Sequence, residues 1–247
     1  MQHRFSKDVR SFLNKLNQLP ILKKGAILVV GLIILVLFFD QWLKIWVKTH
    51  MYYGDEVPIL GLSWAKLNFV ENPGMAFGWV LGGEWGKLAL SLFRIAAIVF
   101  LVYYIAKLLQ AGASKGLLAS FALILAGAIG NMIDCSVYGL IFSDPHHATF
   151  ATLFPNEGGY AGFLHGKVVD MLHFAGRFPE WFPYFHGGEI FPPVFNISDS
   201  AITCGVTNIL LFQRKYFNSL NTKEDADLES STEETTKKID SELAEGN

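Results

Sequence analysis

Two short sequences, NMID at residues 131–134 and NISD at 196–199, each place an amide three positions before a carboxylate. Residues three or four apart share a helix face, so Asn131 lies beside Asp134 and Asn196 beside Asp199, where an amide can donate to the carboxylate and hold its rotamer. A third acid, Asp170, stands in the short apolar stretch HGKVVDML. Two aspartates within about 3 Å of each other cannot both ionise; they share one proton and titrate as a unit. One then acts as general base on a water while the other, protonated, donates to a carbonyl and to the oxyanion that develops on it. A single N-x-x-D equally serves as a helix cap or an interhelical hydrogen bond, and Asp170 alone equally reads as a solvated loop residue, but the three together point to chemistry. Asp40 and Lys44 have the acid-then-base i,i+4 order of a helix-surface ion pair, a structural or lipid-headgroup contact rather than a reactive one.

Other chemistries find little support. Ser136, Ser198 and Ser200 adjoin carboxylates, but no His is their sequence neighbour and no G-x-S-x-G elbow occurs. Cys135 and Cys204 sit in apolar surroundings, which predicts no disulfide, and no Cys/His spacing of the zinc type is present. The adjacent His146 and His147 read as surface-loop residues. No metal and no cofactor is expected.

The elements that position the acids are membrane helices. Of 247 residues, 51% are hydrophobic and 17% charged, with a mean hydropathy of +0.33, an unusual pairing for a soluble domain. Four apolar stretches of about 20 residues, long enough to cross the hydrocarbon of a bilayer, are predicted at 25–47, 86–108, 116–138 and 193–213. A basic segment, 1–24, precedes them and an acidic tail, 217–247, follows, with too little apolar surface to fold. Small residues at Ala126, Gly127, Ala128 and Gly130 of the third span allow close helix packing. Loops at 48–85, which contains strand-like patches broken by Gly and Pro, and at 139–192 join the spans. The fold class is therefore an all-α membrane protein of four transmembrane helices with a small sheet and an extended loop on the outer side.

Lys107, Lys115, Arg214 and Lys215, with the basic N-terminus, put both chain ends in the cytoplasm. Spans one and three then end outside and span four begins there, so Asp40, Lys44, Asn131, Asp134, Asn196 and Asp199 gather at the external boundary. A transporter or proton relay would instead hold carboxylates near the midplane of broken helices; a non-catalytic scaffold using the N-x-x-D pairs for packing is the other alternative. The net charge of -2, without a basic stripe, gives no sign of nucleic-acid binding. The residues alone leave open whether Asp134 or Asp170 partners Asp199.

Five motifs in order, DQWLK, ENPGMAFG, AGAIGNMID, KVVDM and FNISDSAI, resemble the lipoprotein signal peptidases, or signal peptidase II. The resemblance implies an aspartic endopeptidase of the bacterial inner membrane that cuts prolipoproteins before a diacylglyceryl-modified cysteine, with signal peptides and membrane lipids as partners, a monomer, and an active site at the periplasmic boundary. It implies Asp170 and Asp199 as the catalytic pair, Asn72, Gly74, Asn131 and Asn196 as substrate-binding or dyad-supporting residues, and Asp134 as a structural carboxylate. The chain departs from the family in three respects, one being the basic N-terminal and acidic C-terminal extensions. Cys135 stands where an Arg usually follows the Asp of the GN-x-x-D motif, with Arg177 or Lys167 as its candidate substitute, and the stretch between Asp134 and Asp170 is much longer than usual.

Overall fold

The computed structural model describes residues 2–73, 83–145, 149–184, 186–216 and 218, with backbone only for 2–22 and 83–85. Gly74, His146, His147 and residues 219–247 lie outside the described residues.

Helix α1, Gln2–His50, runs without a break from the basic segment into the first apolar stretch. Strands β1, Glu56–Pro58, and β2, Ala65–Asn72, form an antiparallel hairpin. Its turn has Leu60 and Gly61 at φ 52° and 77°, and glycine meets that left-handed requirement without strain. Helix α2 spans Gly83–Gln110 and α3 Lys115–Ile133. Ser114 caps α3 by accepting from Leu117 N, satisfying one of the amides that the first helical turn leaves open. The helix does not stop at Ile133: a π turn, Asp134–Tyr138, and a final turn, Gly139–Ile141, extend it. Such a turn shifts the helix face by one residue, and Asp134, Cys135 and Tyr138 are all buried.

Among the described residues, three helical segments are long and apolar enough to cross a membrane: Lys23–His50, Gly86–Gln110 and Lys115–Ile141. They expose large apolar side chains such as Phe38, Phe93 and Val99, as a lipid-facing surface requires. The fourth apolar stretch also forms a helix, α4 at 197–216, which begins four residues later than the predicted start at 193. Pro192 and Pro193 lack a backbone N–H, and Asn196 supplies the cap just before the first helical residue.

The stretch after α3 folds back on the helix ends instead of forming a free loop. Ala151 N donates to Lys48 O, Ala161 N to Gly139 O and Gly166 N to Cys135 O, at 2.8–3.1 Å. It leads into β3, Val168–Phe174, which pairs antiparallel with β2 to complete a sheet ordered β1-β2-β3. Asp170 therefore lies on a strand, opposite Val70, and is 5% exposed; this corrects its reading as a solvated loop residue. The run VVDML is too short for periodicity to distinguish strand from loop.

Two apolar clusters hold the frame. One joins α1, α2 and α3 through Val29, Ile105, Leu117 and Leu125; the other packs the sheet on the helix ends through Val47, Phe69, Tyr138, Val169 and Met171. The polar cluster lies between them. Close approach of α4 to α3 explains two of the predicted small residues. A Cβ on Gly127 would strike Ser198 O, and one on Gly130 would strike Ser198 Oγ and come within 2.8 Å of Asp40 Oδ2.

Candidate active site

Lys44 is the hub of the α1 contribution. Its ammonium lies 2.8 Å from Asp40 Oδ2 and 2.8 Å from Asp134 Oδ2, and it donates to Asn131 Oδ1 at 3.0 Å. All three charged side chains are fully buried, so the expected surface pair or headgroup contact is corrected to an internal tie between α1 and α3. The i,i+4 spacing identified the pair but not the third partner, which only helix packing supplies. Gln41, next to Asp40, donates to Asp40 Oδ2, Gly130 O and Asp134 Oδ1 and accepts from Tyr138 OH. Gln41 and Tyr138 were not identified from sequence; Gln41 lies inside the DQWLK motif, whereas Tyr138 carried no signal.

The NISD sequence forms a capping box. Asp199 N donates to Asn196 Oδ1 at 2.9 Å, and Asn196 N donates back to Asp199 Oδ2 at 3.3 Å. Capping and site-building are therefore the same act here, because the Asn196 side-chain nitrogen remains free to donate elsewhere. It reaches Asp170 Oδ1 at 2.7 Å, Asn131 Oδ1 at 3.1 Å and Val169 O at 3.3 Å. Asn131 Nδ2 in turn donates to Asp199 Oδ1 at 2.8 Å. The two linked amides thus tie Asp170 of β3 to Asp199 of α4.

This pairing refines the expectation that each amide serves the carboxylate three residues along its own helix. Asn131 bonds Asp199, not Asp134. Asp134 faces the Lys44 ammonium and accepts from Val169 N at 3.2 Å, anchoring the strand one residue before Asp170. Asp40 accepts from Ser198 N at 2.9 Å, fixing the start of α4 one residue before Asp199. Asp40, Lys44 and Asp134 therefore act on the frame, and the two remaining aspartates meet across it. Asn72 also hydrogen-bonds the Asp170 carboxyl. The described site residues expected from sequence fall in one cluster; Gly74 lies outside the described residues.

Burial pushes the Asp170 carboxyl up to about 7, and the neighbouring charge of Asp199 adds to the rise; Lys44, Asn196 and Asn72 oppose it. Loss of hydration and a like charge both favour the protonated form of a carboxylic acid. Asp170 thus holds a proton near neutrality beside a second carboxylate, the asymmetric state that acid–base catalysis by paired acids requires. Among the described residues, Ser198 Oγ at the start of α4 is buried without a hydrogen-bond partner. Among the described residues no group of three His, Cys, Asp or Glu is placed to hold a metal ion.

At the position after Asp134, Arg94 of α2 donates through Nη1 to Cys135 Sγ at 3.0 Å. Of the two candidate substitutes, Lys167 pairs with Glu71 and Asp144, and Arg177 with Glu189. Arg94 was visible in the sequence as the one charge interrupting the second apolar stretch. Its destination required the packing of α2 on α3. Cys135 is a buried free thiol and Cys204 an exposed one.

Comparison with known proteins identifies the family. The family described as Signal peptidase (SPase) II matches residues 32–214. A lipoprotein signal peptidase of Porphyromonas gingivalis is 46% identical over 207 residues, covering 81% of this chain and 86% of the relative. One from Amoebophilus asiaticus is 38% identical over 191 residues, covering 74% and 76%. Among solved structures, a bacterial membrane enzyme determined in meso at 2.3 Å resolution shares the fold, with a TM-score of 0.50 at 22% identity over 76% of this chain and 87% of its own. With a family match across most of its length and relatives well above 30% identity, this chain belongs to the signal peptidase II family.

Proposed function

We propose that this protein is an aspartic endopeptidase that removes signal peptides from bacterial prolipoproteins, cleaving N-terminal to the diacylglyceryl-modified cysteine, with Asp170 and Asp199 as its catalytic pair. One observation supports the assignment of the pair: buried Asp170 from the sheet and half-buried Asp199 from α4 are tied into a single site by Asn196 and Asn131. Asp170 keeps its proton near neutrality and donates it to the scissile carbonyl oxygen. Asp199, as carboxylate, takes a proton from the water that attacks the carbonyl carbon. The tetrahedral diol then collapses: one hydroxyl returns its proton to the Asp170 carboxylate as the C=O re-forms, the C–N bond breaks, and the departing amine takes the proton held by Asp199. Asn72 and Asn131 keep the two carboxyl groups in register, and Asn72 and Gly74 are the substrate-binding residues of the first loop.

The four apolar helices cross the inner membrane with both termini in the cytoplasm, so the pair stands at the periplasmic boundary. The signal helix enters between spans while the acyl chains of the substrate stay in lipid. Gathering of the polar residues at one end of α1, α3 and α4 supports this reading over a transporter, whose carboxylates would sit at mid-span. The protein works as a monomer, with no nucleic-acid partner.

The test is the gel mobility of a model prolipoprotein incubated with purified protein in detergent. The wild-type protein shortens it only after its cysteine is lipidated. Asp170→Asn and Asp199→Asn insert normally and leave it full length; normal processing by either variant removes the proposal.

A further inference from the structure

The long stretch between Asp134 and Asp170 takes no part in the chemistry above, yet its side chains close a charge network on the opposite face of the sheet. Successive side chains of a strand point to opposite faces. Asn72 faces Asp170, so its neighbour Glu71 faces away, toward the end of α1. There Glu71 Oε1 meets the ammonium of Lys48, and both residues are buried, Lys48 completely. The second oxygen of Glu71 lies 3.2 Å from Lys167 Nζ, and Lys167 continues to Asp144 at 2.8 Å. Tyr160 covers the network, its ring 5.0 Å from each ammonium, and its hydroxyl accepts from Lys167 N at 2.8 Å. One carboxylate thus joins α1, β2, the approach to β3 and the inserted stretch.

A buried ion pair adds little net stability, because desolvation of the two charges offsets most of their attraction; its best-attested use is to fix one arrangement. Here the fixed arrangement has a clear beneficiary. Glu71 adjoins Asn72, which bonds Asp170, and Lys167 stands immediately before β3, three residues ahead of Asp170. We propose that Glu71, held between Lys48 and Lys167 beneath Tyr160 of the inserted stretch, is a positioning residue that sets Asn72 against Asp170. The inference rests on the reading of Asp170 as a member of the catalytic pair. The inserted stretch then serves as a clamp that fixes β2 and the approach to β3 from the face opposite Asp170.

The experiment compares Glu71→Gln and Lys167→Gln with wild type in steady-state cleavage of a lipidated fluorogenic peptide between pH 5 and 9, with Asp170→Asn in parallel. Displacement of a catalytic partner by about 1 Å costs rate, not affinity. Glu71→Gln is therefore expected to lose roughly 10- to 100-fold in kcat with KM within about twofold. Its alkaline limb moves to higher pH, because the hydrogen bond from Asn72 favours the Asp170 carboxylate. Lys167→Gln, at a half-exposed position, keeps the Lys48–Glu71 pair and shows the same shift with a smaller loss. If Glu71→Gln does not accumulate as folded protein, Lys167→Gln decides alone. Wild-type kcat and an unmoved pH limb per folded molecule in either variant overturn the positioning role, even with a lowered melting temperature, while an inactive Asp170→Asn leaves the catalytic pair standing. Cleavage by Asp170→Asn instead removes the pair, and this inference with it.

Discussion

Replacing Asp170 by Asn should make the protein more stable while abolishing its proposed activity, and the gain should depend on pH in a defined direction. The ordinary carboxyl value of 3.8 rises to about 7 in the fold, first because Asp170 is buried and second because Asp199 is charged. A folded-state value above the unfolded one means that the folded protein binds the proton more tightly. Stability is therefore greatest below the unfolded value and is lost as pH rises through the window from about 4 to about 7. At about 1.4 kcal/mol per pH unit, the full cost above neutrality is about 4 kcal/mol, or about 2 kcal/mol where the site relaxes around the charge. Asn carries no such cost and keeps an oxygen to accept from Asn196. With about 2–4 °C per kcal/mol for a chain of this size, the variant should melt roughly 4–16 °C above wild type at pH 8, the gap closing near pH 4. Thermal unfolding in detergent at several pH values measures it. Parallel melting curves for the two proteins from pH 4 to 8 would refute the claim that the fold holds Asp170 protonated.

The same proton governs the proposed reaction: initial rates of prolipoprotein cleavage should fall about tenfold per pH unit above about pH 7, as Asp170 loses the proton it donates, and a flat profile to pH 9 contradicts the assignment. Lys44→Met leaves Asp40 and Asp134 buried without their shared cation, at a cost of about 3–5 kcal/mol; thermal unfolding should register this as a drop of roughly 10 °C or more. Gly130→Ala drives a methyl group into Ser198 and Asp40 at the crossing of α3 and α4. Overpacking of this kind costs about 1–3 kcal/mol, and the displaced start of α4 should lower cleavage as well, whereas Ala at exposed Gly162 should change neither.

What could be read from the sequence follows the range of the interactions. Long apolar runs identified the helices, since only length and polarity decide whether a helix can span a bilayer. The start of α4 was misplaced by four residues because apolar Phe191 and Phe195 continue the pattern outward, while Pro192, Pro193 and the Asn196 cap delay the first turn. The polar residues were legible as a set: Asp40, Lys44, Asn131, Asp134, Asn196 and Asp199 were expected together, and they form one connected cluster. Their pairing was not, since it depends on how α1, α3 and α4 rotate against one another. Asp170 could be separated from Asp134 only through the family's motifs; in the fold the distinction is physical, because Asp134 faces a buried lysine and Asp170 does not. Lys48 and Glu71 escaped notice for the same reason, standing 23 residues apart on different elements.

The arrangement also explains why so many charges surround a pair that needs only one proton between them. An aspartate on a strand and another on a helix have no shared backbone to fix their separation, so each must be located by something else. Asp134 accepts from Val169 N and Asp40 from Ser198 N, each one residue before a member of the pair. Lys44 binds both of those acids, so a single ammonium on α1 sets the strand and the helix relative to a common origin. A neutral hub would leave Asp40 and Asp134 to expel each other, and an exposed one would be screened and mobile. Burial makes the tie stiff, and it places a positive charge close enough to limit the rise at Asp170. Position and proton affinity at the pair therefore depend on the same lysine, which is why its loss should damage catalysis beyond what the fall in stability accounts for.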